Sequence, residues 1–215
     1  MSVDYLVVAS SQLELEGFQT NLDEVQQRNG GTFVLVCVGV GKVQSAVLTL
    51  KAIVQYQPKA VLCIGYAGAV DPFYKIGDCV LASSVVQYDI DLRSFHLGRG
   101  EVPSALQGET VGALQLDCPS IEGTFAGVCG TADRFLLRPY REANPWLSNE
   151  LHLGFADMES YAVAFACSAM QCRCTVCRVI SDDEQGHRPK HFKEFSNQAN
   201  RQFVRVLGIL LDRTE

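Results

Sequence analysis

Short apolar runs of strand length alternate with segments of helical period along the whole chain, and this alternation constrains the fold most. Tyr5-Leu6-Val7-Val8-Ala9 reads as a first strand and Leu13 to Gln27 as an amphipathic helix. Phe33 to Val38 is a second strand, ending in Gly39-Val40-Gly41. Lys42 to Tyr56 is helical, with Val43, Ala46, Val47, Leu50 and Val54 on one face. Ala60 to Ile64, Cys79 to Val86, Thr124 to Cys129 and Cys174 to Ile180 are further strands. Met158 to Met170 and Lys193 to Leu211 are helices, and 89–122 is mostly loop or short helix. Strand and helix in alternation predict an α/β fold: a mixed, mostly parallel central sheet with helices on both faces. At 215 residues the chain is expected to form a single domain, 1–215.

Charge and apolar content exclude several classes. A net charge of −6 without a basic cluster argues against nucleic-acid binding, which needs cations to displace phosphate counterions. No apolar run approaches the ~20 residues of a membrane helix, and Met1-Ser2-Val3-Asp4 has no basic or signal-like character. A cytoplasmic location is expected. The nine cysteines are odd in number and mostly sit in apolar runs, as buried free thiols do in a reducing compartment. Cys174 and Cys177 have the spacing of half a zinc knuckle, but they lie in a strand and no second pair exists to close a tetrahedral site. Structural cysteines are the expectation.

In parallel α/β sheets ligands sit beyond the carboxyl ends of strands. This draws attention to Ser10 to Glu14, Gly39 to Lys42, Gly65 to Gly68 and Ser181-Asp182-Asp183. Gly39-Val40-Gly41-Lys42 matches neither a P-loop nor a dinucleotide fingerprint, and reads as a tight turn. Gly65-Tyr66-Ala67-Gly68 suits either a turn or close approach of a ligand to the backbone. Glu159 opens a helix, where acidic residues commonly cap, or accepts hydrogen bonds from paired hydroxyls. Asp182 is either a helix cap or a general acid, the latter only if burial or a neighbour such as Asp183 or Glu184 raises its pKa.

Taken in order, the motifs resemble one family, the 5′-methylthioadenosine/S-adenosylhomocysteine nucleosidases of the nucleoside phosphorylase superfamily. Val38-Gly39-Val40-Gly41-Lys42-Val43 is similar to the family's GIGKV turn, and Ile64-Gly65-Tyr66-Ala67-Gly68-Ala69 to its TGSAGG segment. Ile76-Gly77-Asp78-Cys79-Val80 with Tyr88-Asp89-Ile90-Asp91 resembles GDIV…YHDVD. Phe95, Gly98, Glu101 and Pro103 resemble FGYxxGQxP, and Asp133-Arg134-Phe135 a D-x-F segment. Asp157-Met158-Glu159 resembles VEMEA, and Arg178-Val179-Ile180-Ser181-Asp182 resembles VRAISD.

The resemblance implies hydrolysis of the N-glycosidic bond of a small-molecule adenine nucleoside modified at its 5′ position, with no metal or organic cofactor. It implies that Glu14, or else Glu16, activates water. Glu159 would hold the ribose hydroxyls with Met158 packed beside it. Asp182, steadied by Ser181, would protonate the purine. Phe135 and Leu136 would contact the base, with Ala67, Gly68 and Arg178 also at the substrate and Phe192 on the loop after the acid. Phe95 and Pro103 would reach across a homodimer interface toward the partner's site. The two-carboxylate logic is that of glycoside hydrolysis. Tyr66 stands where the family has a small hydroxyl residue, and is expected to crowd the ribose and favour a larger or more polar 5′-group. The N-terminal segment also resembles futalosine-type hydrolases of menaquinone synthesis, so aminofutalosine is an alternative substrate. A phosphorylase would need an Arg in the N-terminal turn, and Ser10 to Glu16 has none. A non-catalytic nucleoside-binding protein is the remaining alternative.

Overall fold

The computed structural model describes residues 3–19, 31–103 and 109–213. Strands β1 (Tyr5–Ala9), β2 (Phe33–Cys37), β3 (Ala60–Ala69), β4 (Cys79–Gln87), β8 (Phe125–Thr131), β9 (Leu153–Asp157) and β10 (Arg173–Asp182) form the main sheet. The short β7 (Leu114–Gln115) adds to β4, and β5 (Val102–Pro103) pairs with β6 (Thr110–Val111) apart from it. The helices are α1 (Gln12–Gln19), α2 (Lys42–Tyr56), α3 (Arg138–Ala143), α4 (Trp146–Asn149), α5 (Ser160–Ala169) and α6 (Phe192–Asp212). The expected first helix is therefore present from Gln12 to Gln19, and its expected continuation over 20–27 lies outside the described residues.

β3 organises the sheet. Its first half pairs in parallel with β1, and its other edge pairs with β10 along nearly its whole length. Beyond Gly65 it meets β9 in antiparallel register at Gly68 and Ala69. β10 also pairs with β4, β4 with β8, and β8 with β9. The five strands β3, β10, β4, β8 and β9 thus close on themselves, and β1 and β2 extend from the ring as an open flange. The sheet is mixed and mostly parallel, as expected. β3 runs past the end expected at Ile64: of the two readings of Gly65 to Gly68, the turn is not found, and Gly65 to Ala69 continue the strand. A side chain at position 65 would meet the Arg178 guanidinium and the Glu14 carboxylate, at 2.5 and 2.7 Å from its Cβ. Only glycine lets the strand run on between them.

Alternate residues feed two cores. Tyr5, Val7, Ala9, Cys177 and Val179 pack under α1 and α6 through Leu15, Phe18, Phe195 and Phe203. Leu6, Val8, Cys174, Val176 and Ile180 pack under α2 and α5 through Ala52, Ile53, Val163 and Cys167. Cys174 and Cys177 therefore point to opposite faces of β10, which no single metal ion could bridge.

The helix over 42–56 has the expected bounds and an unexpected orientation. Ser45, Thr49, Ala52 and Ile53 face inward. Val43, Val47 and Val54 are 75 %, 59 % and 61 % exposed, and Leu50 also reaches the surface.

Candidate active site

A cleft of about 240 Å³ opens at the carboxyl ends of β1, β3 and β10. Its walls include Glu14, Glu159 and Asp182, each nearly buried, with Tyr66, Ala67, Gly68, Phe135, Leu136, Met158 and Ser181. The carboxylates come from three separate elements: the first turn of α1, the N-terminus of α5 and the end of β10.

Four donors converge on Glu14. Its Oε2 accepts from the Ser10 hydroxyl at 2.6 Å, the Ser11 N–H at 3.0 Å and the Ser11 hydroxyl at 3.1 Å, and its Oε1 accepts from the Tyr66 N–H at 3.2 Å. Glu16 lies on the exposed side of α1. Two residues along a helix is more than half a turn, so only one of the pair can face the cleft.

Glu159 is held by the Gly39 to Lys42 turn that reads as bland in sequence. Gly41, at φ +85°, turns its N–H onto Glu159 Oε1 at 3.0 Å, and the next N–H, of Lys42, donates to Asp133 Oδ1 at 2.7 Å. Both are unpaired first-turn donors of α2, a natural place for carboxylates. Burial pushes Glu159 up to about 7, and the nearby Asp157 carboxylate adds to this; Arg178 and the Gly41 N–H oppose it.

Asp182 ends β10 at a break in register with β3, where Ile180 pairs with Ala67 and Asp182 with Gly68. A bulge of this kind re-aims the side chain. A Cβ at Gly68 would stand 2.5 Å from Asp182 Oδ2, so glycine makes the room. Ser181 donates its hydroxyl to Asp182 Oδ1 at 2.8 Å. Burial raises the Asp182 pKa, while Ser181, Arg188 and Arg141 pull the other way. Desolvation leads, and of the two expected neighbours Asp183 contributes only the smallest effect.

Three expectations are revised, those for Arg178, Tyr66 and Phe192. Arg178 does not line the cleft. It shares the β10 face of Val176 and Ile180 and is fully buried. Its Nε and Nη2 reach Asp157 Oδ2 at 2.8 and 2.7 Å, and Nη2 also reaches Ser160 Oγ at 3.0 Å. Tyr66 borders the cleft, yet its ring does not fill it. The ring packs among Phe192, Phe195 and Phe203, and its hydroxyl lies 2.9 Å from Ser196 Oγ on α6. Phe192, at the start of α6, touches Tyr66 rather than forming the cleft wall. Phe95 is 73 % exposed and Pro103 borders a separate groove, so neither reaches this chain's own cleft.

Sequence reasoning missed the part played by Asp157. Its carboxylate takes the Thr131 hydroxyl at 2.8 Å, the Glu159 and Ser160 N–H groups, the Ser160 hydroxyl, and Arg178. It fixes the turn that presents Met158 and Glu159. An acidic residue two positions before another, at a strand-to-helix turn, was the available signal.

The phosphorylase superfamily profile matches residues 14–212. The chain belongs to the phosphorylase superfamily. It is 34 % identical over 176 residues to a 5′-methylthioadenosine/S-adenosylhomocysteine nucleosidase of Marinomonas sp. (strain MWYL1), covering 77 % of this chain and 74 % of that one. It is 31 % identical over 179 residues to an aminodeoxyfutalosine nucleosidase of Helicobacter pylori (strain J99 / ATCC 700824), covering 80 % and 78 %. Among solved structures, the Campylobacter jejuni 5′-methylthioadenosine/S-adenosyl homocysteine nucleosidase superposes with a TM-score of 0.80 at 19 % identity, over 99 % of this chain and 100 % of that one. The superposition bears out the nucleoside phosphorylase-like fold.

Proposed function

We propose that this superfamily member hydrolyses the N-glycosidic bond of adenine nucleosides modified at the 5′ position, such as 5′-methylthioadenosine and S-adenosylhomocysteine, releasing adenine. One observation carries the reading: Glu14, Glu159 and Asp182 line one cleft while each is held by its own set of donors. The nucleosidase relatives support it.

N-glycosidic cleavage passes through an oxocarbenium-like state. Asp182, whose pKa burial raises, acts as the acid that donates a proton to the purine as the bond breaks, and the Ser181 hydroxyl orients it. Glu159 accepts hydrogen bonds from the ribose hydroxyls, with Met158 alongside. Phe135 and Leu136 flank the base, and Ala67 and Gly68 let it approach the strand. Glu14 takes a proton from the attacking water, which then adds to the anomeric carbon.

Aminodeoxyfutalosine is the second candidate substrate, favoured by the Helicobacter pylori relative. The assay incubates the protein with methylthioadenosine, adenosylhomocysteine and aminodeoxyfutalosine in phosphate-free buffer and measures adenine and free sugar. Adenine release with free sugar supports the reading, and the relative kcat/KM values rank the substrates. Release that requires phosphate, or none from any of the three, overturns it.

The protein works as a cytoplasmic homodimer in this reading. No described helix is long and apolar enough to cross a membrane, and all nine cysteines are free thiols. The outward Val43 lines a groove of about 530 Å³ bordered also by Pro103, Val111 and Phe165, and Val47, Leu50 and Val54 are further exposed apolar residues of α2. A two-fold interface buries the same patch on both subunits, and in this reading that patch is the exposed apolar side of α2, with Phe95 and Pro103 reaching toward the partner's cleft. Val47→Asp should convert the dimer to monomer in sedimentation; a wild-type protein that is monomeric and active at micromolar concentration refutes the dimer.

A further inference from the structure

Tyr66 departs from the small residue of the resembling segment, and its contacts give it a different task from filling the cleft. Its main-chain N–H donates to Glu14 Oε1 at 3.2 Å. Its ring leaves the strand on the α6 side and meets Phe192 edge-on with centroids 5.7 Å apart, Phe195 at 5.3 Å and Phe203 at 6.4 Å. The phenol hydroxyl lies 2.9 Å from Ser196 Oγ, and Asn200 one turn further on donates to the same oxygen at 3.5 Å. One residue therefore grips Glu14 with its backbone and the first two turns of α6 with its side chain.

That connection matters because of chain order. Asp182 ends β10, residues 183–191 follow directly, and α6 begins at Phe192. The first turn of α6 is the downstream anchor of the segment that leaves Asp182. Among the described residues, no other side chain of α6's first turn hydrogen-bonds to the strand ends that carry the cleft.

We infer that Tyr66 is a positioning residue, whose hydroxyl ties the start of α6 to the cleft while its N–H sets Glu14. This rests on the nucleosidase reading for its kinetic consequence, though not for the tie itself. The Tyr66 hydroxyl can be removed without touching the N–H on Glu14, so its loss should weaken substrate capture and spare the chemical step.

The test compares Tyr66→Phe, Ser196→Ala and the double variant in steady-state kinetics with methylthioadenosine and in amide hydrogen exchange. Each single variant should raise KM about fivefold, as loss of one ordinary hydrogen bond does, with kcat within about twofold of wild type. The double variant should match Ser196→Ala alone, because the Tyr66 bond is already gone once Ser196 Oγ is removed. Amides of Phe195 and Ser196 should exchange about fivefold faster in both, while the rest of α6 keeps its protection. Unchanged KM with lower thermal stability, additive effects in the double variant, or uniformly faster exchange over α6 each overturn the inference. If the wild type cleaves no nucleoside, the functional reading falls, and the exchange measurement alone decides the tie.

Discussion

Replacing Glu159 by Gln should stabilise the protein while disabling it, and the stabilisation should grow from about pH 4.5 to about pH 7 and level off above. The carboxyl is nearly buried and its pKa is lifted from 4.5 to about 7, first by burial and then by Asp157. A carboxyl whose folded pKa exceeds its unfolded value favours the folded state at low pH. That contribution is complete below about pH 4.5 and is lost as pH rises through 7. At about 1.4 kcal/mol per pH unit, ionising Glu159 in place costs the fold up to about 3 kcal/mol at pH 8 to 9. Gln retains an oxygen for the Gly41 N–H and has no charge to desolvate. For a chain of this size, 1 kcal/mol corresponds to roughly 2–4 °C in Tm. Scanning both proteins by calorimetry from pH 4 to 9 should show near-equal Tm at the acid end and a Gln variant higher by roughly 5–10 °C at the alkaline end. Its kcat/KM should fall by about tenfold or more, since the ribose hydroxyls lose a charged acceptor. A Tm difference that is constant across the range, or that grows toward acid, refutes the burial argument.

Asp182→Asn should cut turnover by ~10²–10⁴, the usual worth of a general acid, with near-native circular dichroism; near wild-type turnover would remove Asp182 from the acid role. Glu14→Gln should abolish adenine release and Glu16→Gln should leave it nearly intact, and the opposite pattern in parallel assays means that the water is activated from the other face of α1. Arg178→Met should cost about 3–5 kcal/mol in urea unfolding, because it strands the Asp157 carboxylate in the interior; a neutral result would mean that Thr131 and Ser160 alone satisfy Asp157.

How much of this was legible follows from what each signal records. The carboxylates were legible because Asp182 follows the apolar run of a strand and Glu159 opens a helix. Their partners were not, since Gly41, Gly65 and Gly68 act through space they leave empty or an N–H they turn, and neither is a side-chain property. Arg178 was misplaced for want of alternation. It has the parity of Val176 and Ile180, both buried on the same face, and that parity alone points its guanidinium inward to Asp157. Strand β9 was missed because Gly154 breaks its short apolar run. The structure needs a glycine there, with the Tyr74 ring 2.7 Å from where a Cβ would stand.

Helix α2 shows the limit most clearly. Its bounds were readable from Gly41 before it and Pro58 after it, and its apolar stripe was readable at helical spacing. Periodicity reports that a face is kept from water, and says nothing of what covers it. Inside this chain the sheet takes the small residues Ser45, Thr49 and Ala52, which let α2 lie close enough for Gly41 to reach Glu159. Ser45 satisfies its hydroxyl on the Gly39 carbonyl at 3.0 Å, bracing the same turn from below. The bulkier Val43, Val47, Leu50 and Val54 would hold the helix away from the sheet and break that reach. Site geometry and outward apolar face are thus two consequences of one choice of side chains. A variant that swaps the faces, with Val at 45 and 49 and Ser at 43 and 47, should lose the Glu159 contact even if the helix still forms.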